Sequence, residues 1–592
     1  MTHHHGHGTH DHAHGTHDHG HGTHDHGHGP HDHAHGGHDH SHPEIAPSPA
    51  LDVTVDDQEL SPGELGRRSF LRAAGVLGAT AATASVLGSL DADPAAAATV
   101  DSARQSRRGG YVWLAGDHHI HTQYSPDGQY RVIDHVRHAS AYGLGWMVIT
   151  DHGTAQHAKI GVERVNPDIR AARRQVPDTL VFQGLEWNIP AAEHGTVFVH
   201  PGRNEVSVLK SFENSFDGAV KGATASTSAN EALAITGLHF LARAVRQRDV
   251  SDALMLANHP ARKGIDSPHE IRGWRDAESR IAIGMEGAPG HQAAGIPEPG
   301  GPGSARGYYD NSPDPAASFA GYPLESYRTY GGFDWMTSTV GGLWDSLLAE
   351  GKPWWITANS DSHQVWRDTS TRGPGSDFAT NGYFNDPVHT TQPQLKFGDF
   401  WPGYYSRTHV GAEGFGYGEV MDGLRAGRVW VDHGGLVDSV DVRLRAAGQE
   451  VPLGGVLTAK RGTAVRLVIR IRPAQLPNWS QFVPRLAKVD VIRGAVTGPV
   501  SNRDTFQAPG TRVVKSYDVS GETELITLSY PLGRLDDGFY VRLRGSDGNR
   551  LSPGLNGSTV DPAGPALDVV GNADPWTDLW FYTNPMWVLP RS

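Results

Sequence analysis

Histidines and acids recur at the ends of short apolar runs. The first run, YVWLAGDHHIH from residue 111, leads into His119 and His121, and PWWITANSDSH from residue 353 leads into Asp361 and His363. Alternate residues of an extended chain project to the same side, so each pair points together. Imidazoles and carboxylates suit Zn²⁺, Mn²⁺ or Fe²⁺, and a chain without cysteine has no thiolate ligands or nucleophiles. The spacing therefore predicts a metal site.

More runs of this design occur along the chain. They lead to Asp151 and His152, Glu186, His259 and Glu286. Buried clusters of such groups without a cation would cost several kcal/mol, roughly. We therefore expect these strand ends to meet around bound ions.

Helix-like stretches separate the runs, at 131–143, 230–247 and 341–351. Strands alternating with helices predict an α/β fold with a parallel sheet. In barrels built from alternating parallel strands and helices, reactive groups lie at the carboxyl ends of the strands.

The ordered motifs HIHTQYSPDG, TDHG, GLEWN with a later histidine, NHP and SDSH resemble the PHP (polymerase and histidinol phosphatase) family. The resemblance implies a distorted seven-stranded (β/α)7 TIM-like barrel, expected here over residues 107–435. It also implies two or three divalent metal ions (Zn, Mn or Fe) and hydrolysis of phosphoester bonds by a metal-activated hydroxide.

The resemblance also implies a set of metal ligands, and it predicts catalytic roles for Glu186 and Asp361 as carboxylates that hold metal. His194 is the first residue of the segment HGTVFVH and does not follow a strand as the other candidates do. His200, the last residue of that segment, is an alternative to His194 as the metal ligand. The implied groups are His119, His121, Glu186 and Asp361 for one ion; Glu186, His194 and His259 for a second; and Asp127, His152 and His363 for a third.

Other polar residues near these motifs are expected to support the ligands. Asp117, His118 and Asp151 would orient them. Glu286 has no ligand role that the resemblance supplies, and we expect a buried, hydrogen-bonded carboxylate.

Substrate phosphate also requires a cationic side chain. Arg262, in NHPARKG, is the predicted catalytic cation, with Lys263 and Arg407 as further candidates or as surface charges. Loops 287–333 and 370–406 follow strand-end motifs and are expected to overhang the site. Their aromatic residues could line a cleft or pack the loops themselves: Tyr308, Tyr309, Trp366, Trp401 and Tyr404.

The N-terminal segment 1–66 is predicted to be a disordered His-rich region. It contains 19 of the 36 histidines in repeats such as HGTHDHG, and could buffer metal or be an inert polar tail. Residues 67–98 resemble a twin-arginine signal peptide, with Arg67 and Arg68 before a short Ala/Gly-rich stretch. We predict export by the twin-arginine machinery, cleavage near Ala98, no stable membrane span, and an extracellular, periplasmic or wall-associated location.

Residues 436–592 alternate apolar and polar side chains with few helical patterns, which predicts an all-β, sandwich-like domain. The net charge is −14, of which −4 belongs to the chain beyond residue 98. This balance disfavours nucleic acid as a partner, because backbone binding needs many basic contacts.

The predicted function is an exported metal-dependent hydrolase of a small phosphoester. Two alternatives remain open: a metal-dependent hydrolase of amides or lactones, and a non-catalytic extracellular metal-binding protein.

Overall fold

The computed structural model describes residues 106–108, 110–309, 312–549 and 563–591. The predicted His-rich region and the predicted signal peptide lie outside these residues. Within them, no helix combines the length and apolar composition that a membrane span requires.

Helices and strands alternate as far as residue 277, and strands dominate from residue 406 onwards. The helices are α1 Val132–Ala141, α2 His157–Gln175, α3 Glu205–Phe216, α4 Gly218–Lys221, α5 Ser228–Gln247, α6 Pro268–Ala277, α7 Trp335–Ser338, α8 Leu343–Ala349, α9 Phe378–Asn381 and α10 Tyr417–Arg425. The strands are β1 Ser106–Arg108, β2 Tyr111–Asp117, β3 Trp146–Ile149, β4 Leu180–Asn188, β5 His194–Val199, β6 Ala253–Ala257, β7 Ala282–Ala288, β8 Thr329–Tyr330, β9 Phe333–Asp334, β10 Trp355–Ala358, β11 Ser370–Thr371, β12 Val388–His389, β13 Ser406–Ala412, β14 Val429–His433, β15 Val437–Ala446, β16 Gln449–Val451, β17 Val456–Lys460, β18 Ala464–Pro473, β19 Lys488–Ala495, β20 Arg512–Asp518, β21 Ile526–Arg534, β22 Phe539–Ser546, β23 Trp580–Thr583 and β24 Met586–Arg591.

The helices expected at 131–143, 230–247 and 341–351 correspond to α1, α5 and α8. Helix α5 buries an apolar stripe that includes Ala234, Leu238 and Leu241. Strands β3 and β6 are buried at every position, which explains their uninterrupted apolar sequences WMVI and ALMLA.

Seven strands follow one another in the order β10-β7-β6-β5-β4-β3-β2. They pair in parallel except for β5, which runs antiparallel to both β4 and β6. Beyond the ends of β2 and β10, a parallel bridge joins Ile120 and Ser362, and the His121 N–H donates to Ser362 O at 2.9 Å. The region is thus mixed α/β, whereas its closure as a (β/α)7 barrel stays a prediction.

The C-terminal region is rich in sheet. One antiparallel sheet has the order β16-β15-β18-β21, and the other pairs β14 with β23 and continues through β22 and β19 to β20. The two sheets share one hydrophobic core, to which Val440, Leu467, Val489 and Leu543 contribute. One pair, β17 with β24, is parallel, unlike the alternation of a simple antiparallel sandwich.

The predicted domain boundary lies between residues 435 and 436. Backbone hydrogen bonds connect the two predicted domains, because β14, before the boundary, pairs with β23, after it. A buried ion pair also crosses it: the guanidinium of Arg542 in β22 donates to both carboxylate oxygens of Asp345 in α8, at 2.9 and 2.8 Å. Both side chains are 0% exposed, and the guanidinium also lies 4.5 Å from the centre of the Trp344 ring. The two predicted domains therefore share backbone pairing and buried charge.

Candidate metal centre

The strand ends bring the nine predicted ligands together at one edge of the sheet. Parallel strands present their carboxyl ends there, whereas antiparallel β5 presents its first residue, His194. His200, just past the far end of β5, places Nδ1 2.9 Å from Pro201 O. Strand direction therefore favours His194 over His200 as the ligand.

The first implied group is compact and buried. His119 Nε2 lies 3.1 Å from Glu186 Oε1 and 3.1 Å from Asp361 Oδ1. His121 Nε2 lies 3.0 Å from His119 Nε2, 3.4 Å from Glu186 Oε2 and 3.3 Å from Asp361 Oδ1. Donor atoms about 2.1 Å from one ion would be about 3.0–3.4 Å apart, so these spacings fit a shared cation.

The second implied group surrounds the same glutamate. Glu186 Oε1 lies 3.0 Å from His194 Nδ1 and 3.1 Å from His259 Nε2. Its other oxygen, Oε2, lies 3.1 Å from His152 Nε2. Glu186 would therefore help to hold more than one cation, because its two oxygens face imidazoles of different implied groups.

The third implied group is more open, because the Asp127 side chain is 46% exposed. Asp127 Oδ2 lies 3.1 Å from His152 Nε2 and 3.5 Å from His363 Nε2. His363 also stacks on His121, with ring centres 3.8 Å apart. This group thus adjoins the first.

Two observations on single residues fit a bound cation. Asp361 Oδ1 is buried and, within the described chain, receives no hydrogen bond of acceptable geometry, although two imidazole nitrogens face it. Asp361 and His259 also have left-handed backbones, with φ of 45° and 31°. Such strain in non-glycine residues concentrates at functional sites.

The two carboxylates that the resemblance assigns to metal binding are ionised, and the imidazoles around them differ in charge. Burial would raise the pKa of Glu186, but surrounding imidazoles, His194 foremost, hold it well below its usual value. Burial is likewise outweighed at Asp361, whose pKa His119 and other imidazoles hold well below its usual value. Burial lowers the pKa of His121 to about 3, so its imidazole is neutral. Burial lowers the pKa of His119, but Asp361 and Glu186 outweigh burial and raise it well above its usual value, so this imidazole would release a proton when a cation binds.

The residues expected to support the ligands lie directly behind them. Asp117 accepts the N–H groups of His119 and Ser360 at 3.1 and 3.0 Å, which ties the end of β2 to the segment after β10. Burial raises the pKa of Asp117 to about 7. His118 packs between two threonine hydroxyls, with Nε2 2.8 Å from Thr357 Oγ1.

The carboxylates of Asp151 and Glu286 also lie behind the ligands and accept hydrogen bonds from residues beside or within the ligand set. Asp151 accepts the Thr122 N–H at 2.6 Å and the Thr122 hydroxyl at 2.9 Å. Glu286 Oε1 lies 2.7 Å from His119 Nδ1, and its Oε2 accepts the His259 N–H at 2.6 Å. The expectation of a buried, hydrogen-bonded carboxylate at Glu286 agrees with this position.

A cavity of about 420 Å³ opens over the clusters. Arg262 lines it and is oriented by Glu193, whose Oε2 lies 3.5 Å from Arg262 Nη2. Burial opposes ionisation of Glu193, but Arg262 and neighbouring imidazoles lower its pKa to about 2. Lys263 also approaches Glu193, at 3.4 Å, while the Arg407 Nε–H donates to Gly403 O, and neither lines the cavity.

Both overhanging loops contribute to the wall, the first through Tyr308 and the second through residues 396–399. The other aromatic candidates pack elsewhere. Tyr309 donates to Asp334, Trp366 donates to Gly300 O, Trp401 stacks on His138, and Tyr404 stacks on Phe400.

The cavity residues that sequence reasoning missed include His291 and Asp399, a histidine and an acid that contact the predicted ligands. His291 lies in GAPGHQAAG and Asp399 in KFGDFW, and neither segment has the strand-end pattern that marks the other ligands. His291 Nε2 lies 2.8 Å from Asp361 Oδ2, and its Nδ1 lies 2.5 Å from Asp399 Oδ1.

Comparison with known proteins bears on this cluster directly. Residues 117–231 match the PHP domain. The PHP match contains six of the predicted ligands, whereas His259, Asp361 and His363 lie beyond it. No curated protein sequence matches the chain.

Among solved structures, the chain is similar to a two-domain protein from Bacteroides vulgatus ATCC 8482 that contains a predicted PHP-like metal-dependent phosphoesterase. The sequences are 14% identical, the alignment covers 74% of this chain and 92% of that chain, and the TM-score is 0.28. The match to the PHP domain by itself confirms the resemblance seen in the motifs, over residues 117–231.

Proposed function

We propose that this protein is a metal-dependent phosphoesterase with a PHP barrel over residues 107–435, and that the nine predicted ligands hold two or three divalent ions. The observation that carries the proposal is the position of Glu186, whose two oxygens face imidazoles of all three implied groups at 3.0–3.4 Å. Ions bound there would activate water and neutralise charge on the phosphoryl oxygens.

The protein's own groups bind and orient the substrate. Arg262, held by Glu193 at the cavity wall, would bind phosphoryl oxygens with its planar guanidinium. Asp117 and Glu286 fix the backbone and ring of His119, which keeps its Nε2 directed at Glu186 and Asp361. The cavity of about 420 Å³ suits a small substrate.

The test is a hydrolysis panel on the full chain, stripped of metal and reloaded with Zn²⁺, Mn²⁺ or Fe²⁺. We expect metal-dependent turnover of an aryl phosphate monoester or diester, abolished in Glu186→Gln. His200→Ala is the matched control, because it removes an imidazole that lies at the opposite end of β5. Turnover of an anilide or a lactone but of neither phosphoester would favour the amidohydrolase-like alternative. Bound metal with no turnover at all would favour the non-catalytic one.

Export is a separate part of the proposal and is supported by the sequence of residues 67–98 alone. We propose that the twin-arginine pathway exports the folded chain and that cleavage occurs near Ala98. Arg67→Lys with Arg68→Lys should retain the protein in the cytoplasm of cells that have this pathway. Unchanged export of the double variant would contradict the assignment.

A further inference from the structure

His291 and Asp399 reach the cavity from two different loops. His291 follows β7, and Asp399 precedes β13. Their side chains are 12% and 4% exposed. Neither belongs to the nine predicted ligands, yet His291 contacts Asp361, which does.

Asp399 is placed to orient the imidazole of His291. Asp399 Oδ2 accepts the backbone N–H groups of His363 and Gln364 at 2.7 and 2.8 Å, which fixes the carboxylate as an acceptor. Its Oδ1, 2.5 Å from His291 Nδ1, therefore accepts a hydrogen from that nitrogen.

The other nitrogen then faces an acceptor. His291 Nε2 lies 2.8 Å from Asp361 Oδ2, so the imidazole lies between two carboxylates, one of which belongs to a predicted metal ligand. Histidine ligands commonly have a metal on one nitrogen and a carboxylate on the other, and His291 has the second half of that arrangement.

We propose that His291 is a tenth metal ligand, which shares one divalent cation with Asp361 and His363 and is oriented by Asp399. Donor atoms of His291, Asp361 and His363 all lie within 4.8 Å of one another. Asp361 becomes a bridging carboxylate: Oδ1 faces His119 and His121, and Oδ2 faces His291. Two imidazoles and a carboxylate favour Zn²⁺, Mn²⁺ or Fe²⁺ over Mg²⁺ or Ca²⁺.

A ligand on a loop links metal binding to loop structure. His291 has a left-handed backbone, with φ of 53°, which costs energy and needs compensation. The next residue, Gln292, donates to Pro289 O and Gly332 O, which holds the turn in place. The cation would therefore fasten the loop of His291, and through Asp399 also the second loop, over the cavity.

The inference rests on the proposed metal-dependent function, so the experiment reads metal position and not turnover. Full-length parent, His291→Ala, Asp399→Asn and His200→Ala are loaded with Zn²⁺, crystallised and compared by anomalous scattering. We expect a zinc peak at about 2.0–2.1 Å from His291 Nε2 in the parent and in His200→Ala. The peak should be absent in His291→Ala.

A titration of loop protection gives a second measurement. Limited proteolysis within residues 287–309, followed against free Zn²⁺, should require about 10- to 100-fold more metal for protection in Asp399→Asn than in the parent. The His-rich N-terminal region is identical in all variants and cancels in the comparison.

Two outcomes would overturn the assignment. One is a zinc-loaded parent in which His291 bonds Asp361 with no ion within coordinating distance; the other is an unchanged set of zinc peaks in His291→Ala. If zinc lies at His291 but no phosphoester is hydrolysed, the proposed phosphoesterase function fails and the tenth ligand stands.

Discussion

Glu286→Gln should weaken metal binding, although Glu286 is not itself a predicted ligand. Its two oxygens accept from His119 Nδ1 at 2.7 Å and from the His259 N–H at 2.6 Å. Glutamine offers only one oxygen in their place. If that oxygen faces His259, the amide NH₂ faces His119 Nδ1, and the imidazole hydrogen moves to Nε2, the atom directed at Glu186 and Asp361.

The opposite orientation of the amide is no better, because its NH₂ would then face the His259 N–H at 2.6 Å. Loss of a group that orients a metal ligand typically costs about 10- to 100-fold in affinity. That range corresponds to about 1.4–2.8 kcal/mol. We expect the shift in this range whichever way the amide turns.

The assay is aryl phosphatase activity measured against buffered free Mn²⁺ or Zn²⁺. The curve for Glu286→Gln should shift to higher free metal by the stated factor. Glu163→Gln is the matched control, because its side chain is 50% exposed and pairs with Lys210 far from the cavity. A Glu286→Gln protein with the parent's metal dependence and the parent's free energy of unfolding would refute the role of Glu286.

Three further predictions concern stability and substrate binding. Asp345→Ala leaves the guanidinium of Arg542 buried without its carboxylate partner. The free energy of unfolding, measured in urea, should therefore fall by about 3–5 kcal/mol. A loss of less than about 1 kcal/mol would contradict this expectation. Burial disfavours the charged form of His157, but Glu213 at 2.5 Å outweighs burial and raises the His157 pKa above 6.5. The ion pair therefore stabilises the fold fully below pH 6.5 and progressively less as the pH rises through the raised pKa of His157. Glu213→Gln should consequently destabilise the protein less above pH 6.5 than below it. Urea unfolding at several pH values measures this difference. Arg262→Ala should lower kcat/KM for an aryl phosphate by about 10- to 150-fold, the equivalent of about 1.5–3 kcal/mol. Arg262→Lys should retain part of the activity. Unchanged KM and kcat in Arg262→Ala would contradict a role of Arg262 in phosphate binding.

Most of the candidate site could be predicted because its residues follow strands. His119 and His121 occupy alternate positions just after β2, and Glu186 and His259 lie near the ends of buried apolar runs. The alternation of side chains and their location at strand ends therefore both identified these residues in the sequence. His194 was harder, since only the antiparallel direction of β5 brings the start of a strand to this edge.

The remainder depends on contacts that local sequence patterns do not encode. His291 lies in a Gly/Pro-rich loop with left-handed backbone, where neither the helical nor the strand period operates. The pairing of β14 with β23 joins segments far apart in the chain, so a change in composition near residue 435 suggested a boundary that the sheet itself crosses.

That long-range pairing has a consequence for biosynthesis. Strand β14 ends at His433, and its partner β23 begins at Trp580. A ribosome that adds about 5–20 residues per second needs roughly 7–30 seconds to make the intervening chain. Throughout that time the outer edge of β14 is an open template for pairing with other nascent chains. Chaperone protection of the emerging polypeptide is therefore most valuable during this interval.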